Sequence, residues 1–325
     1  MNKNIFNNTK VLIAGGTGMI GTQLVELLLD KGAQVKIVSL DDPKRAHPKT
    51  EFMRLDLRDY QNCITACKGM DYVFNLMCNK GSPAVATKKP ASMFVPMILF
   101  NTNLAEAAMR ENVKWYLYTS TVGVYAPAPQ FIEESVWKTF PSENDKFAGW
   151  AKRMGELQLE AYAIEYGFNR FSIIRPPNTY GPFDNFDPKN SMVVPSLIKR
   201  ALDGEDPFVV WGDGSAIRDF SHAKDVARAM IFAVEDKISE PLNVGSGTGI
   251  SIKQLVEIIV NKLDKKPKII WDTSKPTGDA IRLMDISRIT KYGFKNEISI
   301  KQGIKDVMEW YIKNKERLDS GYNIF

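Results

Sequence analysis

The stretch Val11-Leu12-Ile13-Ala14-Gly15-Gly16-Thr17-Gly18-Met19-Ile20-Gly21 sets the tightest limit on what this chain can fold into. Residues 11–14 form an apolar, strand-like run, and residues 19–29 carry apolar side chains at helical spacing. Gly15, Gly18 and Gly21 stand three apart across the junction. Glycine serves there because the chain must turn tightly, bring its amides up to a pyrophosphate and pack helix against strand. The helix amino terminus adds a dipole and free N–H donors for an anion. An ordinary glycine turn is the bland alternative, and the strand–turn–helix setting favours dinucleotide binding over it. Gly15, Thr17, Gly18, Met19 and Ile20 are the expected cofactor contacts of this turn.

The alternation continues down the first half. Residues 35–40, 72–77, 115–119 and 171–175 read as strands; residues 60–68, 91–111 and 152–166 read as helices. This order predicts an α/β fold, a Rossmann-type doubly wound parallel sheet covered on both faces. After residue 175 the character changes, with Pro176, Pro177, Pro182, Pro188, Pro195 and Pro207 punctuating shorter elements. Residues 1–175 are therefore expected to form the NAD-binding domain. Residues 176–325 are expected to form a smaller mixed α/β lobe that binds substrate and interleaves with the first domain.

The second strand ends in Ser39-Leu40-Asp41-Asp42. A carboxylate at Asp41 can bind ribose hydroxyls and repel a 2′-phosphate, which favours NAD over NADP. Arg45, close by, is the feature that would suit a 2′-phosphate instead.

Composition removes other classes. Lys+Arg 43 against Asp+Glu 38 leaves +5, too weak a surplus for a nucleic-acid site, and no aromatic platform interleaves the basic stretch 261–268. Cys63, Cys67 and Cys78 cannot make a disulfide framework, which points to a reducing compartment. Cys63 and Cys67, four apart with no second Cys/His pair, read as core residues, so no metal site is expected. His222 reads as structural. With no signal-peptide core and no run of 18 apolar residues, the expectation is a cytoplasmic protein with no membrane partner.

Thr119-Ser120-Thr121-Val122-Gly123-Val124-Tyr125 and Pro177-Asn178-Thr179-Tyr180-Gly181-Pro182 resemble the extended short-chain dehydrogenase/reductases that act on nucleotide-diphosphate sugars. Tyr180-Gly181-Pro182-Phe183-Asp184-Asn185-Phe186-Asp187-Pro188, Val210-Trp211-Gly212-Asp213-Gly214 and Arg218-Asp219-Phe220 bring the likeness nearest to the branch containing GDP-fucose synthase. It runs from the glycine turn to about Gly293. The resemblance implies that Thr121 hydrogen-bonds the reacting sugar oxygen, and that Lys152, the lysine of a Y-x-x-x-K motif, binds the nicotinamide ribose. It assigns Lys80 to a second ribose contact, Asp56 and Leu57 to adenine, and Leu76 and Thr119 to the cofactor wall. Asn178, Val193, Lys199, Arg218 and Arg282 become substrate-side positions, where arginine forks suit a diphosphate. It also implies a homodimer or higher homo-oligomer, paired through the helices at residues 91–111 and 152–166.

Three departures narrow the chemistry. The position of the family tyrosine, four before Lys152, is Ala148, which cannot take a proton. The fucose-synthase branch epimerises with a Cys two residues after the Ser/Thr and a His in N-S-H-V; here stand Gly123 and Met192. The dehydratases carry Asp-Glu where this chain has Val122-Gly123. Epimerisation at C3 and C5 and loss of water are thus not expected. Hydride transfer at C4 of a GDP-sugar is, as a 4-dehydrogenase or 4-keto reductase. A 4-epimerase, or a non-catalytic sugar-nucleotide and NAD binder, stays open because of Ala148.

Overall fold

The computed structural model describes residues 4–79, 88–187, 190–275 and 278–317. Its main sheet begins with β1 (Lys10–Ala14), β2 (Gln34–Val38), β3 (Glu51–Met53), β4 (Tyr72–Asn75), β5 (Trp115–Thr119) and β6 (Phe171–Arg175). The helices between them are α1 (Met19–Asp30), α2 (Tyr60–Cys67), α3 (Pro90–Arg110) and α4 (Lys146–Tyr166). The second half adds β7 (Asn178–Tyr180), α5 (Val193–Leu202), β8 (Phe208–Trp211), β9 (Ile217–His222) and α6 (Ala223–Glu235). It continues with β10 (Leu242–Asn243), β11 (Gly249–Ser251), α7 (Ile252–Val260), β12 (Ile269–Asp272), β13 (Ile281–Arg282), α8 (Ser287–Lys291) and α9 (Ile300–Asn314).

The seven-stranded sheet runs β3-β2-β1-β4-β5-β6-β10 with every pair parallel. Every residue of β4, β5 and β6 is buried, because helices cover both faces. Leu24 and Leu28 of α1 pack with Met230 of α6 on one face. Met97 and Leu104 of α3 pack with Leu159 of α4 on the other. The sheet reverses its winding between β1 and β4, the place where such folds hold ligands. β7, β9, β11 and β13 form a second, mixed sheet, and β8 pairs with β12. A separate core of Leu197, Phe208, Leu255 and Ile304 holds that lobe together.

The chain crosses between the two parts. β10, from the second half, adds to the main sheet beside β6, and α6 packs on α1. Sequence periodicity misplaces the start of α4 and the ends of β2 and of β4, which stops at Asn75, and it misses β3. α4 starts at Lys146 rather than 152, since Gly149, a poor helix former, interrupts the helical signal ahead of Lys152. β2 stops at Val38. β3 is a three-residue edge strand with an exposed Glu51, too short to register as a period. His222, as expected, is structural: its Nδ1 accepts from the Lys224 amide and caps α6.

Candidate active site

The turn after β1 is built from backbone. Gly15 has φ +83°, a left-handed conformation that suits glycine, and its amide donates to the Val38 carbonyl at 2.8 Å. A Cβ on Gly21 would lie 2.3 Å from the Gly15 carbonyl oxygen, so only glycine lets α1 come this close to the turn. Gly18 caps α1 with no side-chain hydrogen bond, and Met19 and Ile20 open the helix. Their amides therefore remain for a phosphate, and the helix dipole favours one. The space beside Gly15 is bounded by the main chain of Leu76, across the β1–β4 switch. This cradle fits a dinucleotide pyrophosphate.

Beyond it the Thr17 hydroxyl donates to Asp41 Oδ2 at 2.6 Å and lies 2.9 Å from Ser39 Oγ. Asp56 is clamped by Arg58, whose hydrogen bonds hold its carboxyl below the usual range despite burial. Leu57 is buried, and its carbonyl accepts from the Cys63 thiol at 3.2 Å. Cys63 and Cys67 are core residues. Burial, with nearby Asp59, pushes the Cys63 thiol up to about 12, and burial raises Cys67 as well. No group of three metal-binding side chains occurs among the described residues. A native protein treated with iodoacetamide at pH 8 should therefore lose one thiol, the exposed Cys78, and all three only in denaturant. Mass spectrometry reads the outcome, and rapid modification of Cys63 would refute the buried placement.

Lys152 is 2% exposed, and its ammonium donates to the carbonyls of Met77 and Thr119, each at 2.8 Å. Burial holds it below the ordinary lysine range. Thr119 ends β5 and Met77 lies two residues past the end of β4, so the ammonium stands at the carboxyl edge of the sheet. Thr119 Oγ1 is buried beside it with no hydrogen-bond partner among the described residues. Thr121 follows, its hydroxyl accepting from the Gly123 amide at 3.2 Å to cap the single turn Val122–Val124. Ala148 lies one helical turn before Lys152 and is half-buried against the core. Lys80 falls outside the described residues.

On the lobe side, Arg218 of β9 and Arg282 of β13 are register partners. Burial, then the neighbouring Arg282 charge, pushes Arg218 below its usual range. Arg282 donates to Asp279 Oδ2 through Nε at 2.9 Å and Nη2 at 2.7 Å, and Nη2 also reaches Asp145. Asp219 turns the other way, fully buried, and accepts from the Ser246 and Gly247 amides. Asn178 reaches the Asp219 carbonyl at 3.4 Å. Val193 opens α5, and Lys199 is drawn instead to Asp203 at 2.6 Å and the Tyr311 hydroxyl at 3.1 Å. Thr121, Ala148, Lys152, Arg218 and Arg282 thus gather at one end of the sheet. Asp145 and Asp279 join them, and sequence reasoning missed both. Asp279 stands three before Arg282, a faint signal; Asp145 has none, since only the fold brings residue 145 to residue 282.

A family model, the NAD dependent epimerase/dehydratase family, matches residues 11–245. A probable GDP-L-fucose synthase 1 of Oryza sativa subsp. japonica is 32% identical over 313 residues, covering 94% of this chain and 92% of that protein. The UDP-glucose 4-epimerase of Thermotoga maritima, solved with UDP-glucose, is 26% identical with TM-score 0.82, covering 94% of this chain and 99% of that one. A GDP-L-fucose synthetase from Naegleria fowleri, bound to NADP, shares the fold at 22% identity and TM-score 0.79, covering 95% and 96%. That structure corrects the preference for NAD over NADP. The physical reason is local: Asp41 is engaged by Thr17 and lies 4.0 Å from Arg45 Nη1, so its charge does not stand alone against a 2′-phosphate. No helix among the described residues is long and apolar enough to cross a membrane. With its glycine cradle, its buried lysine and these relatives, the chain belongs to the NAD dependent epimerase/dehydratase family and is an NAD(P)-dependent oxidoreductase of nucleotide sugars.

Proposed function

We propose that the chain transfers a hydride at C4 of a GDP-sugar, as a 4-dehydrogenase or a 4-keto reductase. One observation carries this reading: Thr121 lies two residues after the Thr119 carbonyl that Lys152 binds, while the epimerising positions hold Gly123 and Met192, which move no proton. The GDP preference is supported by the likeness to the rice protein over nearly the whole chain. A bound nicotinamide would supply the hydride acceptor or donor.

The chain's own residues do the rest. The amides of Met19 and Ile20 at the start of α1 hold the pyrophosphate. Lys152 spends two N–H groups on the Met77 and Thr119 carbonyls and keeps a third for the ribose. Thr121 orients the reacting sugar oxygen, and the forks of Arg218 and Arg282 take the diphosphate. Ala148 removes the phenol from this set, so the proton needs another acceptor.

Turnover on a panel of GDP- and UDP-sugars, with NAD(P)+ or NAD(P)H, tests the proposal through the 340 nm absorbance. A net change with a GDP-sugar is expected, and Ala148→Tyr should alter the rate by less than about tenfold if alanine is native to the route. The likeness to the Thermotoga maritima enzyme favours a second reading, a 4-epimerase, which would interconvert two sugars with no net change in cofactor. Absence of turnover in both forms would sink either reading.

A further inference from the structure

Gly123 and Asp145 belong to different segments, yet a Cβ built on Gly123 would lie 3.1 Å from Asp145 Cβ and 3.2 Å from its Cγ. The carboxyl group of Asp145 thus fills the space into which a side chain at position 123 would project. That position follows Thr121 by two residues, and the Thr121 hydroxyl takes the Gly123 amide at 3.2 Å. The same aspartate stands at the N-cap position of α4 without a side-chain capping hydrogen bond, three residues before Ala148. Arg282, expected on the diphosphate, binds it from the other side. A proton-accepting carboxylate therefore stands among the threonine that orients the sugar oxygen, the arginine that meets the diphosphate and the alanine that lacks a phenol.

We infer that Asp145 is the proton acceptor and donor for the sugar hydroxyl, in the place left by Ala148; this rests on the hydride-transfer reading above. In oxidation the C4–H bond breaks and its hydride passes to the nicotinamide ring of NAD(P)+. The O–H bond breaks, its proton passes to the Asp145 carboxylate, and the C=O double bond forms. Reduction runs the same exchange backwards, with NAD(P)H giving the hydride and Asp145 the proton.

Arg282 is bound by Asp279 through two nitrogens and by Asp145 through one. A diphosphate arriving at Arg282 competes for the same guanidinium, and displacing its one nitrogen on Asp145 would leave that carboxylate to face the sugar. The charged groups around Asp145 are Arg282 on β13, Arg218 on β9 and Asp279 in the loop before β13, with Glu143 and Lys146 on its own segment.

The test is Asp145→Asn, an isosteric change, measured beside the unaltered protein. The rate of NAD(P)+ reduction with the active GDP-sugar should fall at least about 100-fold. GDP affinity by calorimetry and thermal midpoint should stay close to those of the unaltered protein. Asp145→Glu should recover part of the rate, as a carboxylate on a longer stem. An Asp145→Asn variant within threefold of the unaltered rate overturns the inference and leaves the hydride-transfer reading standing. Loss of rate matched by loss of GDP affinity, with no recovery in Asp145→Glu, overturns it too, since the aspartate would then only anchor Arg282. No turnover by the unaltered protein overturns the reading and this inference together.

Discussion

Glu156→Ala should cost the fold about 3–5 kcal/mol, because it strands a buried guanidinium. Glu156 and Arg175 are 2% and 1% exposed. Arg175 Nε donates to Glu156 Oε1 at 3.0 Å and Nη2 to Oε2 at 2.5 Å, a two-pronged pair across α4 and β6. The Ser120 hydroxyl donates to the same carboxylate at 2.5 Å, one residue before Thr121. Arg175 also donates to the Tyr125 hydroxyl and the Glu133 carbonyl, each at 3.0 Å, and cannot swing out to water without breaking both. The alanine variant leaves that charge unpaired in the interior. Urea unfolding measures the loss. Replacing both partners, Glu156→Met with Arg175→Met, should restore much of it, since two well-packed apolar side chains avoid the desolvation that the pair must offset. A single-variant loss under about 1 kcal/mol would mean that water reaches the pair.

The sequence betrayed this architecture where burial and pattern coincide. β5 and β6 have the boundaries read from their mainly apolar runs, because both faces of each strand are covered and every residue of each is buried. The glycine turn was legible for a related reason. A Cβ at Gly21 would overlap backbone, and side chains are excluded there by geometry that glycine spacing records directly. What escaped was long-range. β10 joins the main sheet from the far half of the chain with two residues, too few for any period. Asp145 meets Arg282 across 137 residues, and a lone aspartate ahead of a helix reads as a capping residue. The NAD preference failed for the same cause: Asp41 was read as an isolated charge, and the fold gives it Thr17 and Arg45 as neighbours. Lys199 was placed toward substrate by its motif position, whereas its ammonium is held by Asp203 and Tyr311.

Gly149→Ala should lower turnover about 100-fold while leaving the protein folded. A Cβ at Gly149 would lie 2.2 Å from the Gly123 carbonyl oxygen and 2.7 Å from the Pro141 ring, so backbone must yield on at least one side. Overpacking of this kind costs about 1–3 kcal/mol of stability. The displaced parts matter more than the energy. Gly123 belongs to the turn that Thr121 caps, and Gly149 lies between Asp145 and Lys152 on α4. Moving the helix away from the turn by about 1 Å separates the threonine from both of them at once, and such a misplacement is worth about 100-fold in rate. The glycine cradle before α1 lies on a different element and keeps its amides. Affinity for NAD(P)+ should therefore fall much less than kcat, by no more than the share that Lys152 contributes. Steady-state kinetics at a temperature well below the unfolding midpoint, with cofactor affinity by fluorescence titration, separates the two effects. An unchanged kcat would mean that α4 and the Thr121 turn need not touch for the reaction, and the site would then have to be assembled from other residues.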